Sequence, residues 1–222
     1  MYKNFKKNKY SSGVTLIELL VVIFIFMVIT GITIFNYGKF NSSLSIQNLA
    51  DDIALSIRRA QGYAIGVRGF GSSFSDGYGI HFTANPNLSE YVGSNKSFIL
   101  FADIGITPNK KYDYNNSDTC GNLSSVNECM EVLKIISADQ IESISLNGEP
   151  TSRPQTSTLD ILFYRPNPEP KFCYRSDPTN NDCTENSSIS SVKIKISNIT
   201  NPEVFKIITI SNNGQISVSS SN

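Results

Sequence analysis

Residues 14–35 read VTLIELLVVIFIFMVITGITIF, and this run decides the fold. Only Thr15, Glu18, Thr30, Gly31 and Thr33 interrupt its apolar character. Wound as an α-helix it extends roughly 33 Å at about 1.5 Å per residue, close to the bilayer hydrocarbon core of about 30 Å. Ahead of it stand Lys3, Lys6, Lys7 and Lys9 with no acidic residue, a local charge of +4. The remaining chain holds 15 basic and 19 acidic residues, a net of −4. A basic flank before the run, and none of that density after it, predicts a single membrane pass with the N-terminus in the cytoplasm and everything after Asn36 exported. A secretory signal peptide has a shorter apolar core and a small-residue cleavage site; no A-x-A follows this run. A plain anchor matches the length but leaves Glu18 unexplained, because an ionised carboxylate there costs about 2.5–3.5 kcal/mol or more on insertion scales.

The segment Ser12-Gly13-Val14-Thr15-Leu16-Ile17-Glu18-Leu19-Leu20 resembles the type IV prepilin signal. In that family a short basic leader ends in Gly, a membrane-embedded prepilin peptidase cuts after it, the new N-terminal residue is N-methylated, and the fifth mature residue is Glu. The resemblance implies cleavage between Gly13 and Val14, methylation of Val14 (where the family usually has Phe), and an assembly role for Glu18. Cleavage creates an ammonium at Val14, and Glu18 of a neighbouring subunit is the acid that can pair with it inside an apolar bundle. Such pairing sets the axial register between subunits. Implied partners are the prepilin peptidase, other pilin or pseudopilin subunits, and an assembly platform with its ATPase.

Beyond Gly38 the pattern becomes amphipathic. Ile46, Leu49, Ala50, Ile53, Ile57, Ala60 and Ala64 recur at three- and four-residue spacing, one helical stripe, with Asp51, Asp52, Arg58 and Arg59 off it. Gly62, Gly66, Gly69 and Gly71 are expected to end the helix, giving one element from about 14 to 65. Residues 49–61, LADDIALSIRRAQ, are similar to the GspH/FimT branch of pseudopilins and minor pilins. The organisation expected is a leader at 1–13, a transmembrane and filament-core helix at 14–36, its amphipathic continuation at 37–66, and an exported β-rich head at 67–222.

Short β-rich segments separated by turn residues fill the head: Tyr78–Thr83, Ser97–Ala102, Val132–Ser137, Ile141–Leu146, Leu159–Tyr164, Val192–Ser197, Val204–Ser211 and Gln215–Ser219. Residues 191–197, SVKIKIS, alternate strictly, with lysines to water and aliphatics to the core. Asn212-Asn213-Gly214 reads as the turn of a closing hairpin. Pro150, Pro154, Pro166, Pro168, Pro170 and Pro178 predict loops or sheet edges. The fold class is therefore α+β, a long N-terminal helix packed on an antiparallel sheet or small β-sandwich, as in the pilin fold. Cys120 and Cys129, nine apart, and Cys173 and Cys183, ten apart, lie in polar loops where export favours disulfides; local pairing is the simplest of three connectivities.

Chemistry-bearing constellations are few. One His and no C-x-x-C pair exclude a zinc ribbon and a His-rich metal site, and no cofactor is expected. His81 reads as a half-exposed strand residue. Asp113 and Asp118 lack the spacing of a Ca²⁺ loop. Some minor pilins of the resembled branch bind DNA. Here a DNA surface would draw on Arg58, Arg59 and Arg68 together with Lys193, Lys195 and Lys206, the last three expected on one face, but the net-negative body opposes it. No nucleophile–base pair supports an enzyme. The function expected is a structural subunit, a minor pilin or pseudopilin of a type IV pilus or type II secretion-like filament. Its rival is a permanently anchored surface module, an adhesin or DNA-uptake receptor.

Overall fold

The structure, a computed structural model, describes residues 13–66, 69–70, 73–74, 77–104, 109–113, 120–121, 127–147, 149–150, 157–175 and 189–220. Helix α1 runs Leu16–Ile65 without a break. Among the described residues, the strands that follow are β1 Gly69–Phe70, β2 Ser73–Phe74, β3 Gly77–Thr83, β4 Ser97–Asp103, β5 Cys129–Lys134, β6 Asp139–Leu146, β7 Glu149–Pro150, β8 Thr158–Tyr164, β9 Asn167–Arg175, β10 Ser191–Asn198, β11 Phe205–Ser211 and β12 Ile216–Ser219. The chain divides into two compact units, Met1–Phe40 and Asn41–Asn222.

In the first unit the described side chains of the apolar run stand exposed, from Leu16 to Ile34. The helix is long and apolar enough to cross a membrane. Its polar interruptions are satisfied by its own backbone. The Thr30 hydroxyl donates to the Phe26 carbonyl, and the Thr33 hydroxyl reaches the Ile29 and Thr30 carbonyls at 3.3 and 2.8 Å. Without water, a hydroxyl needs such a partner to avoid a desolvation penalty.

In the second unit all seven residues of the predicted stripe are buried, while Asp51, Asp52 and Arg58 are exposed. The stripe joins one core with the inner faces of two antiparallel sheets, ordered β5-β4-β3-β8-β9 and β12-β11-β10-β6-β7. Tyr78, Ile80 and Phe82 come from the first sheet, and Ile144, Ile194 and Ile208 from the second. Strand β10 buries Val192, Ile194 and Ile196 and leaves Lys193 and Lys195 half-buried, as its alternation predicts. Strands β3 and β4 are buried along their whole length, because a second, smaller cluster of Ile99, Phe101, Tyr112, Cys129, Leu162 and Cys173 covers their other face. Gly77 in β3 leaves room for the Tyr164 ring, since a Cβ there would lie 2.6 Å from Tyr164 Cε1.

The closing hairpin of β11 and β12 forms as expected, turning at Gly214 with φ +82°. Strand β9 was not anticipated. It carries Pro168 and Pro170 but is an edge strand, where a missing N–H goes unnoticed by the ladder. Pro150 likewise sits on an edge, in β7. Pro154 and Pro178 lie outside the described residues.

One buried carboxylate ties the entry of α1 to the sheets. Asp139 accepts hydrogen bonds from the Ser45 hydroxyl (2.5 Å), the Ser137 hydroxyl (2.6 Å) and the Asn198 amide (2.7 Å). The Lys96 ammonium donates to the carbonyls of Ser137 and Asp139, both at 2.6 Å. The Asn201 amide donates to the Ser42 hydroxyl at 3.0 Å. Since Ile53 is fully buried in the stripe, Ile53→Ala is expected to destabilise the head by about 2–5 kcal/mol. Leu55→Ala, at a neighbouring exposed position, is expected to change stability by no more than about 0.5 kcal/mol. Urea denaturation followed by circular dichroism in detergent measures both.

Candidate functional site

The chain's distinctive chemistry lies where α1 begins. Thr15 precedes the first helical residue, and its hydroxyl accepts the Glu18 N–H at 3.3 Å, while its carbonyl accepts the Leu19 N–H at 3.2 Å. Thr15-x-x-Glu18 thus has the spacing of a capping box, with Thr15 as N-cap. Sequence reasoning passed over Thr15, although that spacing was the signal for it. Glu18 is the acid of the first turn, where the helix dipole favours negative charge. Its neighbours Leu16, Ile17, Leu19 and Leu20 are all more than half exposed. A carboxylate is therefore held at the start of an apolar surface, a few residues from Gly13 and Val14.

The remaining candidate residues scatter. Cys120 and Cys129 form a disulfide, and both belong to the cluster on the outer face of the first sheet. Gly121 N–H donates to the Cys129 carbonyl at 2.9 Å beside it. Cys173, on β9, is disulfide-bonded; Cys183 lies outside the described residues. Among the described basic candidates, Arg59 and Lys195 are paired with acids and the three lysines do not share one face. Arg59 pairs with Glu131 and lies over the Tyr63 ring, and Lys195 pairs with Glu142 at 2.7 Å. Lys206 is opposite Ile196 in the β10–β11 register, which places it on the aliphatic face, away from Lys193 and Lys195. The expectation of a shared lysine face is corrected: an even-numbered position on β11 pairs with an even-numbered position on β10, so Lys206 alternates with the core residues. Arg58 is exposed, and Arg68 lies outside the described residues.

His81 is buried, contrary to the half-exposed placement expected. Its Nδ1 lies 2.5 Å from Asp160 Oδ1, the next strand over, and Arg175 Nη2 donates to Asp160 Oδ2 at 2.9 Å. The Tyr112 ring covers the imidazole, with centroids 5.0 Å apart. Gly93, at φ +89°, completes the enclosure, because a Cβ there would meet His81 Cδ2 at 2.8 Å. The cover over His81 comes from Tyr112 and Gly93, residues outside the strands, which a strand pattern does not announce. Asp113 is engaged by the Asn109 amide and by Lys111 at 3.5 Å, and Asp118 lies outside the described residues. Among the described residues, no group of three His, Cys, Asp or Glu side chains is placed to hold a metal ion.

A buried acid missed in the sequence is Glu128, just before β5. Its Oε1 accepts the Ile104 N–H at 3.0 Å and its Oε2 the Asp113 N–H at 2.9 Å. Burial pushes its carboxyl up to about 8, against those two donors, and the Asp103 carboxylate adds to the rise. Burial likewise raises Asp103, which accepts the Tyr164 hydroxyl at 2.7 Å.

Residues 8–34 match the family model of the prokaryotic N-terminal methylation motif, the prepilin-type signal. The matched window contains Gly13, Val14, Thr15 and Glu18 and most of the apolar run. It supports a type IV pilin-like protein, membrane-anchored through α1, and the signal points to a structural role. No curated protein and no solved structure matches the chain.

The acids of the head make its stability depend on pH. Between about pH 4.5 and 8 the folded chain retains a proton on Glu128 that the unfolded chain, with an ordinary carboxyl at 4.5, has released. The contribution of this group to stability therefore falls as pH rises through that window, and Asp103 adds with the same sign. Glu128→Gln cannot ionise and is expected to flatten the slope; denaturant midpoints measured from pH 5 to 8 check it.

Proposed function

We propose that the chain is a structural subunit, a minor pilin or pseudopilin, of a type IV pilus or type II secretion-like filament. The prepilin peptidase cleaves it between Gly13 and Val14, Val14 is N-methylated, and the subunit polymerises through α1 with other pilins, driven by a platform and its ATPase. The single observation that carries this reading is the match of residues 8–34 to the methylation motif. The exposed apolar surface of α1 from Leu16 to Ile34 agrees with it: such a surface needs lipid before assembly and neighbouring helices afterwards. Glu18 supplies the register, meeting the Val14 ammonium of the next subunit where water is excluded. A DNA-binding role draws no support from basic side chains that are paired with acids or split between sheet faces.

One observation favours the rival reading, a permanently anchored binding module. The head carries a groove of about 620 Å³ lined by Lys110, Tyr164, Lys171, Phe172, Asn212 and Asn213 among others. Mass spectrometry separates the two. The pilin reading expects a mature N-terminus at methylated Val14; an intact leader sinks it. Glu18→Ala is expected to leave processing intact while lowering filament incorporation by roughly a hundredfold or more, since breaking a buried ion pair costs about 3–5 kcal/mol. Gly13 replaced by Phe is expected to accumulate as uncut precursor on immunoblots.

A further inference from the structure

Within the head, α1 has a second face. One side of the helix carries the buried stripe that includes Ile46, Ile53 and Ile57. On the far side Leu44, Leu55 and Ile65 are 48%, 66% and 52% exposed. Asn48, Asp51, Arg58 and Gly62 fall between them and are exposed as well. Steps along this line alternate four residues and three, the spacing of a seam that one helix offers to another. Two features of the seam have no use inside the head. Gly62 lies within α1, yet a Cβ there would meet nothing within 4 Å. A helical Gly costs about 1 kcal/mol against Ala, and no described neighbour requires the missing side chain. Among the described residues, the Arg58 side chain has no hydrogen-bonding or ionic partner, whereas the next residue, Arg59, is paired with Glu131. Asp51 is held in place by the Gln47 amide, which donates to both its oxygens at 3.1 Å.

The order of residues along the seam says what it fits. Against a copy of itself running antiparallel, with a two-fold axis beside Leu55, Leu44 faces Ile65, Asn48 faces Gly62, Asp51 faces Arg58 and Leu55 faces Leu55. Each pair away from the axis then forms twice, as an isologous contact requires. Two parallel copies in register put Asp51 on Asp51 and Arg58 on Arg58, a clash of like charges. Parallel copies slid by seven residues bring Asp51 to Arg58 but set Leu44 against Asp51 and Ile65 against Arg58. Of these arrangements the antiparallel one matches apolar with apolar and acid with base throughout, and it lays Asn48 into the space that Gly62 leaves open. Matched charge order of this kind selects a partner and a register.

We propose that the outer seam of α1, from Leu44 to Ile65, is a self-recognition surface that pairs antiparallel with the same seam of a second copy of this chain. The strip is about 32 Å long and about one helix wide, less than the roughly 800 Å² per partner of a standard interface. The pair is therefore weak, and it forms where copies are concentrated. Its ion pairs are exposed, so salt loosens it. The inference uses residues of the head alone and holds whether or not the leader is cut.

Disulfide cross-linking of the full chain in detergent under mild oxidation, read on non-reducing gels, tests the pairing. Cys120, Cys129 and Cys173 are already disulfide-bonded. Leu55→Cys is expected to link into a dimer at least fivefold more than Asn213→Cys, an exposed position away from the seam. An equal mixture of Leu44→Cys and Ile65→Cys chains is expected to link at least fivefold more than either alone. Adding Asp51→Arg or Arg58→Asp to Leu55→Cys sets like charges face to face and is expected to lower the yield at least fivefold. Mixing those two double variants restores it, which a pair of misfolded chains could not do. Leu55→Cys that links no better than Asn213→Cys overturns the proposal. Leu44→Cys that links to itself as readily as to Ile65→Cys means parallel copies and also overturns it. A yield that ignores both charge reversals has the same consequence, since the contact would then be collision in the micelle.

Discussion

One helix in this chain has to satisfy two different surroundings, and the head is built on the part of it that is only half apolar. From Leu16 to Ile34 the helix presents exposed apolar side chains, and the hydroxyls of Thr30 and Thr33 turn back onto carbonyls of the preceding turn. From Ile46 to Ala64 it presents a single stripe, with acids and arginines on the far side. A sheet with one apolar face needs something to cover it. Here the stripe is common ground for the inner faces of both sheets, which join it in one core. Remove the stripe and neither sheet keeps its cover.

Buried carboxylates then fix how the pieces fit. Asp139 gathers the start of the head's helix, the β5–β6 turn and the end of β10. Asp160 gathers β3, β9 and the backbone of Tyr112. Glu128 holds the backbone on either side of a loop, at Ile104 and Asp113. Each acid takes donors distant in sequence, so each penalises any arrangement that leaves it unpaired. Such groups act more through specificity than through added stability.

Much of this was legible in the residues because period carries geometry. The stripe at three- and four-residue spacing is buried at every position, and the alternation of β10 holds from Ser191 to Ile196, Ser197 being buried as well. The signal was legible too, because Gly13, Glu18 and the apolar run stand at fixed short spacings. Contacts between distant segments were not. His81 is hidden by Tyr112 and Gly93, loop residues whose approach no local pattern encodes. The acids Asp139 and Glu128 were passed over, since the donors that hold them come largely from other segments. Strand β9 was obscured by its prolines, which forbid a central strand but allow an edge. Lys206 was misplaced because a share in one sheet was taken for a share in one face, whereas register decides the face.

The borders of the two sheets carry a further consequence. Prolines occupy β9 and β7, β12 is four residues long, and β5 presents Glu131 and Lys134. Among the described strands, each border of the two five-stranded sheets thus carries a proline, a short length or exposed charge, features that hinder a foreign strand from pairing with it. Were copies of the head brought close together, such borders would hinder strand pairing between them and favour their separation as individuals.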